Sequence, residues 1–285
     1  MEHVEGKFAG AGGLEIFWQG WREQEQPRAT IVISHGAGEH SGRYERVAEH
    51  LVAQGYAVYA VDHRGHGRSA GRRALVDRID NAASDLDQLV ELARREHPGA
   101  PVFMLGHSLG ATIALCYALR HQDKLAGLIL SGPVAVVELP PAPQRAIARA
   151  LSAIAPWLPV LALDPANVSR DQREVEAYRS DPLVHHAKLP VRTVTEIAAA
   201  TEGFPAQVPA LTLPLLLVHG SDDRLAPVQG SRMVHERAGS QDKTLHVYDG
   251  LYHEVLNELP DDRARVLADI DAWLSAHVKA QATRR

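Results

Sequence analysis

An α/β protein with a mostly parallel, doubly wound sheet and an inserted helical cap is what this sequence predicts, on three observations. Short runs rich in Val, Ile and Leu alternate with amphipathic helical stretches along most of the chain, as expected of parallel strands buried on both faces. The alternation stops over residues 134–211, where ten of the seventeen prolines fall. A Gly-x-Ser-x-Gly turn stands between one strand run and one helical stretch, the local context that a nucleophile elbow requires.

In chain order, residues 6–20 carry the glycines and β-formers of a hairpin that extends the sheet in antiparallel fashion. Buried strands are expected at 30–34, 57–61, 102–105, 125–130, 213–218 and 244–248. Helices are expected at 44–54, 82–96, 109–120, 228–238 and 263–278, so that β and α units alternate. Residues 1–133 and 212–285 thus form the core. Residues 134–211 show no strand pattern, and their prolines imply short helices and turns. Within them, 146–163 is apolar with little charge, too long for a turn and too short to span a bilayer. It reads as a cap helix lining a pocket for an apolar chain, with plain packing on the sheet as the alternative.

Composition narrows the function. A net charge of −5, from 35 acidic against 30 basic residues, provides no basic field for nucleic acid. The single cysteine, Cys116, excludes an intrachain disulfide and a cysteine zinc cluster, and its apolar neighbours imply an inert buried thiol. Residues 1–20 lack a basic cap followed by an apolar stretch, and no run of about 18 apolar residues occurs. A soluble cytoplasmic protein is expected, with transient contact to a membrane surface through the cap. Sixteen histidines are scattered without metal-ligand spacing, so no metal is expected, and the adjacent His185 and His186 read as structural or solvated.

The chemistry is carried by Gly106-His107-Ser108-Leu109-Gly110, which follows a strand and opens a helix. A sharp turn forces Ser108 into unfavourable dihedrals, requires tiny residues on either side, and lifts its hydroxyl above the sheet edge. Such a hydroxyl is a poor nucleophile at neutral pH until a neutral histidine takes its proton and an acid fixes that histidine's tautomer. Asp222 and Asp223 end one later strand and His253 follows the next, at the sheet edge where open α/β sheets gather their catalysts. His253 is therefore the expected general base. Spacing leaves the choice between the two aspartates open. One oxyanion donor is the Leu109 amide, and the other is expected in His35-Gly36-Ala37-Gly38, with Ala37 the candidate. His63 and His66, in the glycine-rich loop Asp62 to Ser69, are expected to organise that loop by hydrogen bonds.

His35-Gly36-Ala37-Gly38-Glu39-His40-Ser41-Gly42-Arg43-Tyr44, Asp62-His63-Arg64-Gly65-His66-Gly67, Gly106-His107-Ser108, Ser180-Asp181-Pro182-Leu183, Gly220-Ser221-Asp222-Asp223-Arg224-Leu225 and Tyr252-His253 occur in that order. Together they resemble the monoacylglycerol lipase family over nearly the whole chain. The resemblance implies a capped α/β-hydrolase fold that releases fatty acid and glycerol without a cofactor. It places the triad acid on Asp223, supports Ala37 and Leu109 as the oxyanion hole, and sets Glu39, Arg43 and Tyr178 near the glycerol end of the pocket. Two departures stand out: Leu109 and Ala111 replace the family's Met and second Gly after the nucleophile.

The expected reaction is hydrolysis of a small lipid ester by Ser108, His253 and Asp223, with the acyl chain against Leu151, Ile154 and Leu158 of the cap. Alternatives with the same triad are a general carboxylesterase, a lysophospholipase, or an aminopeptidase using a cap acid such as Glu174, Glu176, Glu196 or Glu202. A catalytically silent binding scaffold is the alternative of another class.

Overall fold

The computed structural model describes residues 1–283, with side chains described to Ala280. Among the described residues ten strands and eight α-helices follow one another, beginning with β1 (Glu2–Ala9), β2 (Glu15–Arg22), β3 (Thr30–Ser34), α1 (Glu45–Ala53), β4 (Ala57–Val61) and α2 (Ile79–Glu96). Then come β5 (Val102–His107), α3 (Leu109–His121), β6 (Gly127–Ser131), α4 (Ala142–Ile154), β7 (Pro159–Leu161), α5 (Gln172–Ser180), β8 (Leu189–Pro190) and α6 (Val191–Gln207). The chain closes with β9 (Leu215–Gly220), α7 (Gln229–Arg237), β10 (Lys243–Tyr248) and α8 (Pro260–Thr283).

The main sheet has eight strands in the order β1-β2-β4-β3-β5-β6-β9-β10, parallel throughout except for the β1-β2 hairpin, which joins β4 in antiparallel fashion. It is the mostly parallel sheet of an α/β-hydrolase. Period-2 alternation buries both faces. Ile31 and Ile33 of β3 pack with Phe103, Leu105, Ile129, Leu216 and Val218 beneath α1 and α8, while Val32 packs with Met104, Leu128, Leu130 and Leu217 beneath α2 and α3. Helix α2 buries Ile79, Ala82, Ala83, Leu86, Leu89, Val90 and Ala93 at helical spacing, and α3, in the middle of its layer, is buried on nearly every side.

After β3 the chain adds β4 on one side and β5 on the other, so the order reverses between β3 and β5. Such a switch point opens a crevice at the carboxyl ends of the strands. Ser34 and His107 end these two strands, and the glycine-rich loop and the serine turn follow them directly.

Between β6 and β9 no residue joins the main sheet, but the expectation of a strand-free stretch is corrected there. β7 and β8 pair as a separate antiparallel ribbon, too short for a period-2 signal and masked by Pro159 and Pro190 at their ends. Nor are all its helices short. α6 runs for 17 residues because Pro205 falls in its last turn, where one lost backbone bond is tolerated. The expected helix over 146–163 instead ends at Ile154, and Pro156 and Pro159 turn the chain into β7. Among the described residues no helix is long and apolar enough to cross a membrane.

Candidate active site

Ser108 sits at φ 54° and ψ −121°, and among the described non-glycine residues only Ala74 also has a positive φ. Close packing dictates the turn around it. A Cβ on Gly106 would come within 2.7 Å of the Ala111 Cα, and one on Gly110 would lie 2.0 Å from the Ser34 carbonyl oxygen. The strand and helix therefore approach so closely that only glycine fits at both flanks. The serine amide is held by the Ser131 carbonyl at 3.0 Å, and its own carbonyl accepts from Ala111 and Thr112 in the first turn of α3.

His253 Nδ1 lies 2.6 Å from Asp223 Oδ2. Since a carboxylate only accepts, Nδ1 carries the proton and Nε2 keeps its lone pair. Asp223 is held on both oxygens: Oδ1 takes the amides of Leu225 and Ala226 at 2.8 and 2.9 Å, and Oδ2 also lies 3.1 Å from His219 Nε2, which contacts the Ala226 carbonyl at 3.0 Å. Burial opposes the Asp223 charge, but the two imidazoles outweigh it and hold the carboxyl far below the usual carboxylate range. Burial likewise opposes the charged form of His253, yet the Asp223 charge and hydrogen bond, with Glu254 and Glu39 nearby, leave its pKa above the ordinary histidine value. Asp222 is exposed and accepts from Ser221 Oγ at 2.8 Å, so the structure distinguishes the aspartates that spacing left equivalent.

Ser108 and His253 line one cavity of about 320 Å³, together with Ala37, Leu109, Glu39 and Tyr178. Among the described residues no backbone carbonyl accepts from the Ala37 or Leu109 amide. The remaining wall is largely apolar and includes Val137, Leu163, Val194, Ile197 and Leu225. Three sequence-based expectations are corrected here. Leu151, Ile154 and Leu158 do not line the cavity; they are 37%, 78% and 37% exposed, because α4 ends early and turns this apolar edge outward. Leu161 and Leu163 from the same stretch reach the wall instead, as do Val194 and Ile197 of α6. The sequence singles out neither Val194 nor Ile197, and it places Leu161 and Leu163 on a helix that ends before them.

Arg43 also stands off the cavity wall. Its guanidinium contacts Glu39 Oε2 at 2.6 Å and both oxygens of Glu254 at 2.7 Å, with the Tyr178 ring over it at 4.8 Å. Glu254, unremarked in the sequence, lines the cavity beside His253. The loop histidines behave as structural groups. His63 Nε2 contacts Ser34 Oγ at 2.9 Å while that hydroxyl donates to the Gly110 carbonyl, and His66 Nδ1 donates to the Arg64 carbonyl at 3.0 Å. His185 and His186 contact the Lys188 and Asp181 carbonyls. Burial pushes the Cys116 thiol up to about 12, consistent with an inert group.

Fold and elbow define the class: an α/β-hydrolase whose strained serine turn follows β5 at the sheet's switch point. A family model described as "Serine aminopeptidase, S33" matches residues 25–260. The chain is 42% identical over 275 residues to the monoacylglycerol lipase of Mycolicibacterium smegmatis, covering 96% of this chain and 98% of that protein. It is 38% identical to the Homo sapiens monoglyceride lipase over 96% of this chain and 91% of that one. The crystal structure of Paleococcus ferrophilus monoacylglycerol lipase superposes with a TM-score of 0.81 at 31% identity, covering 97% of this chain and 100% of that chain. This chain belongs to the monoacylglycerol lipase family of serine ester hydrolases.

Proposed function

We propose that the protein hydrolyses monoacylglycerols through an acyl-enzyme, with Ser108 as nucleophile, His253 as general base and Asp223 as the acid that orients it. The observation that carries this reading is one largely apolar cavity that holds Ser108 and a His253 already tied to a buried carboxylate at 2.6 Å. Ser108 Oγ attacks the ester carbonyl while His253 Nε2 takes its proton, and the Ala37 and Leu109 amides receive the developing oxyanion. The protonated imidazole then gives its proton to the leaving glycerol oxygen as the carbon–oxygen bond breaks. Water, deprotonated by the same His253, releases the fatty acid and restores the serine. No cofactor enters these steps.

Residues 134–211 serve as the cap over a core formed by 1–133 and 212–285. The acyl chain lies against Val137, Leu163, Val194, Ile197 and Leu225, where each buried methylene contributes about 0.8 kcal/mol until the slot is full. The polar end of the cavity, with Glu39 and Tyr178, receives the alcohol. Ile147, Ile154 and Trp157, 60%, 78% and 46% exposed, form an apolar cap surface suited to transient contact with a lipid surface by a cytoplasmic enzyme.

The name of the matching family model raises an aminopeptidase, which needs a carboxylate free to pair with a terminal amine. Glu174, Glu196 and Glu202 are instead paired with Arg46, Arg192 and Arg145, and neither they nor Glu176 line the cavity; Glu138 does line it, so aminoacyl anilides decide between the two readings. A panel of mono- and triacylglycerols, simple esters and aminoacyl anilides, run with Ser108→Ala as control, tests the proposal. Monoacylglycerols should be cleaved far faster than triacylglycerols, since three chains cannot share one slot. Preferred cleavage of anilides, or full activity in the alanine variant, would sink it.

A further inference from the structure

The oxyanion loop and the general-base loop leave the sheet far apart, the first after β3 and the second after β10, with β5, β6 and β9 between them. The sheet's own ladder therefore sets their spacing only through three intervening strands. A buried ion cluster spans the gap directly. Glu39 Oε1 accepts from the Gly36 amide at 2.5 Å and from the Tyr44 hydroxyl at 2.8 Å, which fixes the loop carrying Ala37. Arg43 links that carboxylate to Glu254, the residue directly after His253, through paired 2.7 Å bonds. Glu254 is secured further by Asn257 Nδ2 at 2.9 Å, and its amide donates to the Val168 carbonyl at 2.8 Å. The side chains of Arg43, Glu39 and Glu254 are 8%, 4% and 6% exposed.

We propose that Arg43 is a positioning residue for ester hydrolysis: by gripping Glu39 and Glu254 together it holds the Gly36-Ala37 amides in register with His253. This rests on the reading of His253 as base and Ala37 as oxyanion donor. A planar, forked cation suits the task, because one guanidinium satisfies two carboxylates in fixed directions and an ammonium does not. Removing one partner from such a buried cluster would strand a charge, so the three residues act as a unit. Off the cavity wall and saturated by two carboxylates, Arg43 is not placed to serve as a ligand for the alcohol.

The test compares Arg43→Lys and Glu254→Gln with wild type for folding, kcat, KM, fluorophosphonate labelling rate and the acid limb of the pH profile. Lysine keeps the charge but loses the fork, so kcat and labelling should fall on the order of tenfold to a hundredfold with KM little changed, as for a misplaced catalytic group. The acid limb should stay in place. Asp223, His107, Glu254 and Glu39 surround His253, with His219 reaching it through Asp223. Glu254→Gln removes one of those negative charges, so its acid limb should move to lower pH while kcat and labelling fall. It is nearly isosteric and carries the test by itself should the lysine variant not fold. Folded variants with wild-type kcat and labelling, or losses confined to KM, would overturn the proposal. Wild-type protein that fails to label, or Ser108→Ala that still labels, refutes the nucleophile assignment instead, and is seen before any Arg43 variant is measured.

Discussion

Asp223 and Asp222 differ in every contact that matters for the imidazole, and this yields the sharpest single-residue test. Asp223→Asn presents an amide nitrogen or a weaker acceptor to His253 Nδ1 and favours the wrong tautomer, so turnover should fall by orders of magnitude, about 10⁴-fold in the protease precedent. Asp222→Asn changes one exposed hydrogen bond to Ser221 and should leave turnover within a few-fold of wild type. Equal losses in steady-state assays of the two variants would mean that Asp223 does not orient the base. The raised pKa of His253 makes a second prediction. In the proposed mechanism its neutral form is the base, and a raised value means the ring loses that form at higher pH than an ordinary histidine would. The acid limb of kcat/KM should therefore lie above about 6.5. A limb well below that value, in protein still folded, would count against His253. Ser108 and His253 could be singled out because the proposed chemistry demands these residue types at strand ends in a fixed chain order, whereas the choice of Asp223 over Asp222 came only from the family resemblance. Glu254 could not, since its importance comes from a guanidinium more than two hundred residues away in the chain.

Among the elements, the parallel strands were readable within a residue or two, the inner ones because burial on both faces leaves a nearly uninterrupted apolar run; β10, at the sheet edge, is only half-buried and carries Lys243, Thr244 and His246. The segment around α4 and β7 was harder. An apolar stretch signals burial or contact without saying which, and here α4 ends at Ile154 with Ile147, Leu151 and Ile154 exposed. The contrast between α4 and α6 separates acyl binding from surface contact. Ile197→Asp, on the cavity wall, places a carboxylate that a long acyl chain must desolvate. Loss of about four methylenes' worth of burial, roughly 3 kcal/mol at ~0.8 kcal/mol each, should lower kcat/KM for long-chain esters about a hundredfold and spare acetate esters. Ile154→Asp should leave both substrates unaffected in solution and reduce sedimentation with phospholipid vesicles. If Ile154→Asp instead impairs long-chain hydrolysis in solution and Ile197→Asp does not, the acyl slot lies along α4 and its wall has been misassigned.

For the whole molecule, the same burial that shapes the site sets its limits in acid. His35, His63, His66 and His107 are all fully enclosed, and desolvation by burial is the main reason each resists protonation. It brings His107 down to about 4 and His66 to about 3. At His35 a hydrogen bond acts in the same sense, since its Nε2 accepts from the His63 amide at 2.9 Å and an added proton would break that bond. Once unfolded, each ring takes up a proton near pH 6.5, where the folded state still excludes it. A depressed folded pKa means that the stability is complete above about 6.5 and is lost as pH falls toward the folded values, at about 1.4 kcal/mol per pH unit for each proton of difference. His253 acts in the opposite sense, since its raised pKa stabilises the folded state below about 6.5 and that contribution fades as pH rises through its folded value. Four rings against one decide the sign. Asp223, Glu39 and Glu254, held below the usual carboxylate range, add a further loss only below about pH 4. Activity and fold should therefore fail in sequence, turnover first as His253 protonates, then stability between about pH 6 and 5, before the carboxylates titrate. Urea unfolding at pH 7.5, 6 and 5 measures this directly, with the midpoint expected to drop at each step. A midpoint that holds steady down to pH 5 would mean that the folded protein takes up those protons itself, and the closed, neutral histidine cluster behind the oxyanion loop would have to be abandoned.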